Sequence, residues 1–215
     1  MTLFEYFAKN MGSILFRLAE HVQLTGAALI VAVLIGVPMG ILISYVRPLK
    51  KPVTGVINVV QAVPSLALLG FLIPFLGIGE KPAIFMVVVY SLLPIVKNTA
   101  AGIANMNREM LEAAKGIGMT RLQILFKVKL PLALPIIMAG IRISAVVSVG
   151  LVTIGAFIGA GGLGFIIYSG IRMANTNMLL AGAIPTCLLA LVVDFLTSLI
   201  EKVATPMCLR EGKRG

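Results

Sequence analysis

The sequence predicts an all-α, polytopic membrane protein with about five transmembrane helices. Three observations carry that prediction. Of its 215 residues, 59% are hydrophobic and only 12% are charged, whereas a soluble domain carries about 25% charged residues. The apolar residues gather into stretches long enough for a bilayer core, which takes about 20 residues as a helix. Lys and Arg fall between those stretches and alternate in density from one connection to the next.

The first 22 residues are not a cleavable signal, because no basic start leads into an apolar core and a small-residue cleavage site. Leu3, Phe7, Met11, Ile14, Leu15, Leu18 and Val22 recur at helical spacing, with Glu5, Lys9, Arg17 and Glu20 largely elsewhere on the wheel. That pattern predicts an amphipathic N-terminal helix over 1–22, lying on the outer membrane surface or packing against the spans. The spans follow at Leu24–Tyr45, Val53–Leu76, Pro82–Val96, Leu132–Phe157 and Met178–Ile200. The third is short, but its helix can run past Lys97, whose long side chain can snorkel. Residues 23–204 form one transmembrane domain and 205–215 a polar tail.

Orientation comes from the connections. Arg47, Lys50 and Lys51 follow span one. Lys97, Arg108, Lys115, Arg121, Lys127 and Lys129 lie between spans three and four. Lys202, Arg210, Lys213 and Arg214 close the chain. Against these thirteen stand Lys9, Arg17, Lys81 and Arg172. The bias puts the N-terminus outside and the C-terminus in the cytoplasm. The net charge of +10 is thereby assigned to anionic lipid headgroups. Nucleic acid is excluded as a partner, because no basic stripe with interleaved aromatics is present.

The segment of about 98–131 is too polar to span and long for a bare turn. Met110–Ile117 is rich in helix formers, with Glu109 and Glu112 near its start and Lys115 near its end, in agreement with the helix dipole. Gly116 and Gly118 interrupt it, and Thr120 can cap a second helix starting near Arg121. The expectation is a short cytoplasmic helix, a sharp bend and a second helix leading into span four.

Little else resembles chemistry. Gly159-Ala-Gly161-Gly162-Leu-Gly164 matches the dinucleotide-binding pattern, but that pattern has meaning only between a strand and a helix. Here the glycines read as an outer turn or a close helix contact beside an outer helix over 165–171, with a gate, a docking surface or plain structure all open. No phosphate-binding loop is present, so no ATPase resides in this chain. No metal-ligand spacing exists, and His21, the only histidine, reads as an interface residue with no special role. Cys187 and Cys208 fall at different depths and predict no disulfide. Arg142 and Asp194 lie at comparable depths in spans four and five and predict an intramembrane ion pair, either a static brace or one that breaks and remakes. Asn58, Gln61 and Ser65 near a break at Pro64, and Tyr90 with Ser91 in span three, fit either a translocation path or interhelical hydrogen bonding.

The spacing Glu112-Ala113-Ala114, three residues, Gly118, nine residues, Val128, one residue, Leu130-Pro131 resembles the EAA loop of ABC importer permeases. The single departure is Val128, where isoleucine is commoner. Asn58–Gly70, Leu93–Thr99 and Ile137–Arg142 are similar to the osmoprotectant branch, which imports glycine betaine, carnitine or choline; Gly161–Gly164 is also similar to methionine-importer permeases. The resemblance implies a type I importer core. Two such chains, identical or paralogous, would be served by two cytoplasmic ATP-binding subunits and an extracytoplasmic substrate-binding protein in a bacterial cell membrane. ATP and magnesium would be bound by the partner ATPase, with no cofactor in this chain. Leu111, Glu112, Ala113, Ala114, Lys115, Gly116, Gly118, Met119, Thr120 and Arg121 would form the coupling helix and its bend. With no Trp and only Tyr90 at mid-membrane, the aromatic cage that holds a quaternary ammonium is expected in the binding protein. Another cargo, methionine or another small zwitterion, and a channel or structural protein without ATP coupling remain the competing expectations.

Overall fold

The computed structural model describes residues 2–205 and is all-helical among them. In order the helices are α1 (Leu3–Tyr45), α2 (Arg47–Ala62), α3 (Ser65–Leu76), α4 (Glu80–Ala104), α5 (Arg108–Gly116), α6 (Arg121–Ile124), α7 (Leu130–Gly155), α8 (Leu163–Arg172) and α9 (Thr176–Ala204). A π-turn over Leu125–Lys129 joins α6 to α7, and a 3-10 turn over Ala156–Ile158 follows α7. Among the described residues four helices are long and apolar enough to cross a membrane, or five if the bent pair α2–α3 counts as one span.

The boundary expected at residue 22 is absent. A single 43-residue helix, α1, runs from the N-terminus through span one, started by a capping box in which Thr2 and Glu5 exchange side-chain bonds. Glycine and proline are missing between residues 13 and 25, so nothing in the backbone breaks the helix there. Span two differs in the other direction. Pro64 separates α2 from α3, and the two helix axes meet at 99°, because the residue before a proline is pushed out of helical geometry: Val63 is extended, with φ −70° and ψ 129°. The polar excursion is also shorter than 98–131. Helix α4 continues to Ala104, and within it the Asn98 amide donates to the Pro94 carbonyl at 2.8 Å. At the other side α6, the π-turn and α7 are one continuous rod over Arg121–Ile158. The tail beyond residue 205, with Cys208, lies outside the described residues.

Helices α1, α4 and α7 form the centre. Leu24, Ala28 and Ala32 of α1, Met86, Val87 and Ile95 of α4, and Leu151 and Val152 of α7 share one buried cluster. Small residues allow the close approach. A Cβ on Gly40 would sit 2.5 Å from Thr99 Cβ, and one on Gly140 would sit 2.7 Å from Asn98 Cβ and from the Pro94 carbonyl oxygen. Gly140→Val should therefore lower the thermal stability of the detergent-purified chain by about 1–3 kcal/mol, whereas Gly150→Ala, whose Cβ meets nothing within 4 Å, should leave it unchanged or slightly raised.

Candidate functional site

The polar connection between α4 and α7 is built almost entirely from local rules. Asn107 caps α5, its side-chain oxygen accepting from the Glu109 N–H at 2.9 Å. Glu109 lies in the first turn and Lys115 in the last, matching the helix dipole. The end of α5 is a Schellman turn: Gly118 N–H donates to the Lys115 carbonyl at 2.9 Å, Met119 N–H to the Ala114 carbonyl at 3.1 Å, and Gly118 has φ +80°. Thr120 then caps α6 through a second capping box with Gln123. Only Ile117 to Thr120 therefore separate the two helices, and each end is satisfied by its own backbone or side chains.

Helix α5 has two unlike faces. Ala114 is buried and Leu111 half-buried. Met110, Glu112, Ala113, Lys115, Gly116 and Ile117 are exposed, as are Gly118, Thr120 and Arg121. Met119 is half-buried. Ile117 is 80% exposed and Met110 53%, although both lie in the most polar part of the chain.

Arg142 and Asp194 come together in a bidentate pair between α7 and α9, Nε to Oδ1 at 2.6 Å and Nη2 to Oδ2 at 2.7 Å. Glu201, one further helix stretch along α9, has a carboxylate oxygen 4.0 Å from Arg142 Nη1. Both members of the pair remain about one-third exposed in the single chain.

The polar residues of spans two and three mostly join helices. Gln61 Nε2 donates to the Tyr90 carbonyl at 2.6 Å, and the Tyr90 hydroxyl donates to the Val63 carbonyl. Together they fasten the broken end of α2 to α4. Ser91 is fully buried, its hydroxyl 3.1 Å from that of Ser148, while Ser144 donates to the Ser91 carbonyl at 2.9 Å. Of the two uses open for these groups, interhelical bonding is the one this arrangement displays. Asn58 is exposed on α2 and Ser65 is half-buried at the start of α3.

At the opposite end, the glycines form a turn and a close contact. Gly159, Gly161 and Gly162 have φ of 78°, 85° and 70°, values that L side chains rarely adopt. Gly164 sits against the Thr153 backbone of α7, where a Cβ has no room. This turn is gripped by residues that the sequence did not single out as a group. Glu20 Oε2 accepts from the Gly162 N–H at 3.0 Å and pairs with Arg17 at 2.7 Å. His21 Nδ1 accepts from the Leu163 N–H at 3.2 Å, and its Nε2 is 3.0 Å from the Val149 carbonyl oxygen. His21 is fully buried and makes two bonds, which the expectation of no special role missed. The only available signal was the crowding of Arg17, Glu20 and His21 within an otherwise apolar helix. Among the described residues no group of three or more His, Cys, Asp or Glu side chains could hold a metal ion.

Known proteins are similar to this chain in sequence and in fold. Residues 32–204 match the family described as binding-protein-dependent transport system inner membrane component. The choline transport system permease protein OpuBB of Bacillus subtilis is 40% identical over 97% of this chain and 96% of its own length. The carnitine transport permease protein OpuCB of Listeria monocytogenes is 40% identical over 98% and 96%. The osmoprotectant import permease protein OsmW of Salmonella typhimurium is 41% identical over 98% and 100%. Among solved structures, an inward-facing form of the MetNI methionine ABC transporter superposes with a TM-score of 0.83 at 26% identity, covering 91% of this chain and 98% of that one. A capped polar loop set between two packed membrane helices, and a family match running over nearly all of the helical core, place this chain in the binding-protein-dependent transport system inner membrane component family: it is an ABC importer permease.

Proposed function

We propose that this chain is the membrane path of an importer for a quaternary-amine compatible solute (glycine betaine, carnitine or choline), driven by ATP hydrolysis in a separate subunit. The single observation that carries the drive is the outward apolar pair Met110 and Ile117 on a capped helix, flanked by Glu112 and Lys115. A rigid short helix with an exposed apolar stripe and a charged rim suits insertion into a groove of a protein partner. In this reading Leu111 and Ala114 anchor the helix, and Glu112, Ala113, Lys115 and Gly116 to Arg121 meet the ATP-binding subunit, which holds the ATP and magnesium. The loop and the C-terminus are cytoplasmic, the N-terminus and the glycine turn face outward, and the membrane is the bacterial plasma membrane. Two copies, or one copy and a paralogue, enclose the path, and an extracytoplasmic binding protein delivers cargo. Asn58 and Ser65 remain candidates for lining it. The absence of Trp and the single mid-membrane tyrosine, Tyr90, support selection by the binding protein.

The cargo rests on relatives about 40% identical whose names carry choline, carnitine and glycine betaine. Methionine is the second reading, favoured by the TM-score of 0.83 to a methionine transporter at 26% identity. Uptake of labelled glycine betaine into proteoliposomes holding the assembled transporter and its binding protein decides between them. Competition by carnitine or choline and none by methionine is the expected result. Competition by methionine alone moves the cargo to the second reading, and uptake that needs no ATP removes the importer mechanism altogether.

A further inference from the structure

Helix α8 starts without a cap of its own. Its N-cap residue is Gly162, which has no side chain to offer its first N–H groups. The caps arrive from α1, 142 positions earlier in the chain: the Glu20 carboxylate takes the Gly162 N–H and the His21 ring takes that of Leu163. A carboxylate is favoured there, at the positive end of the helix dipole. Because Nδ1 of His21 accepts, the ring's hydrogen sits on Nε2 and donates to Val149 of α7. One neutral imidazole thus ties together α1, α7 and α8. Arg17 completes the clamp, bonded to Glu20 and stacked 4.2 Å above the centroid of the Phe165 ring on α8. The turn is shaped for the grip: a Cβ on Gly161 would lie 2.9 Å from Glu20 Oε2, and one on Gly162 would lie 3.1 Å from His21 Nδ1.

We infer that Glu20 and His21 are positioning residues for the outer gate, locking the glycine turn and α8 to α1 and α7 so that this end of the permease moves as one body. The inference rests on the proposed importer function. The clamp sits on the face offered to the binding protein, and the drive acts at α5 on the opposite face, so a signal between them needs a stiff outer end. Loosening the clamp leaves the ATPase docking surface intact and breaks the relay.

Two readouts test this on the full chain assembled with its ATPase subunit. Hydrogen exchange over residues 159–172 reports the clamp directly. The ratio of ATP hydrolysis with and without loaded binding protein reports the relay. In Glu20→Ala and His21→Leu, exchange over that segment should rise by about tenfold for each bond removed, basal hydrolysis should stay at the wild-type level, and stimulation should fall severalfold. Two conservative variants divide the roles. His21→Asn can keep an acceptor for the Leu163 N–H, and His21→Gln can keep a donor for the Val149 carbonyl, so each should retain more stimulation than His21→Leu. Unchanged exchange in Glu20→Ala and His21→Leu overturns the clamp. Raised exchange with wild-type stimulation shows a purely structural contact and overturns the positioning role. If the wild-type assembly itself shows no stimulation, the importer reading falls, while the exchange result still decides whether the clamp exists.

Discussion

Gly118→Val is expected to cut ATP-driven uptake by about tenfold without removing the permease from the membrane. Gly118 has φ +80°, and a Cβ there would meet nothing within 4 Å. Steric clash is therefore not the cause; the cost is conformational. Left-handed geometry penalises an L-residue by about 1–2 kcal/mol, more for a β-branched one, and the Schellman turn that ends α5 is correctly formed only in the fraction of molecules that bear it. Apparent affinity for a partner scales with that fraction. Gly118→Asn should retain most of the activity, since asparagine tolerates this region. Uptake and copurification of the ATP-binding subunit measure both variants. Wild-type behaviour of the valine variant would mean that the bend has no part in coupling. Glu112→Lys, at an exposed position on a helix whose interior it does not touch, should lose copurification while the chain stays as stable as before.

Arg142→Ala and Asp194→Ala should each lower the amount of folded permease and its uptake by about tenfold or more, because each strands one charge of a bidentate pair within membrane-spanning helices. The exchanged pair, Arg142→Asp with Asp194→Arg, should recover only part of the loss. Glu201 lies 4.0 Å from the Arg142 guanidinium and would then face a carboxylate; adding Glu201→Gln should improve the rescue. Replacing both partners by apolar residues, Arg142→Met with Asp194→Leu, separates the two uses of the pair. Such a replacement can be neutral for stability. A folded double variant that transports normally identifies a static brace, and a folded one that does not transport identifies a pair that must open.

The ease of reading this sequence followed the range of the interactions. The loop between α4 and α7 is written in contacts three to five residues apart: a cap at Asn107, a left-handed glycine at Gly118, a capping box at Thr120. Each is a local rule; the interruption at Gly118 and the cap at Thr120 were legible from spacing, while the cap at Asn107 was not picked out. The ion pair was legible because depth in a membrane can be counted along the chain, and charges at equal depth in apolar helices have few alternatives. What stayed hidden depended on which helix stands beside which. Polarity at Ser91 was visible; its partners Ser144 and Ser148, more than fifty residues away, were not. The break at Pro64 was visible, whereas the 99° bend depends on how α3 settles on α4 and α7. Glu20 and His21 looked like polar residues at a membrane boundary, and that appearance suggested an end to a helix that in fact continues through them.

The π-turn over Leu125–Lys129 has an angular consequence. Pro131 has no N–H for the Lys127 carbonyl, and its ring crowds that carbonyl in a regular helix; the wider turn, with Leu130 N–H donating to the Leu125 carbonyl, relieves the crowding. A π-turn holds one residue more than α geometry would, and one residue is about 100° of rotation about the helix axis. Helix α6, and α5 beyond it, are thereby indexed to a different compass bearing around the rod than an unbroken α-helix would give them. The azimuth at which Met110 and Ile117 are exposed thus depends on a proline several turns away.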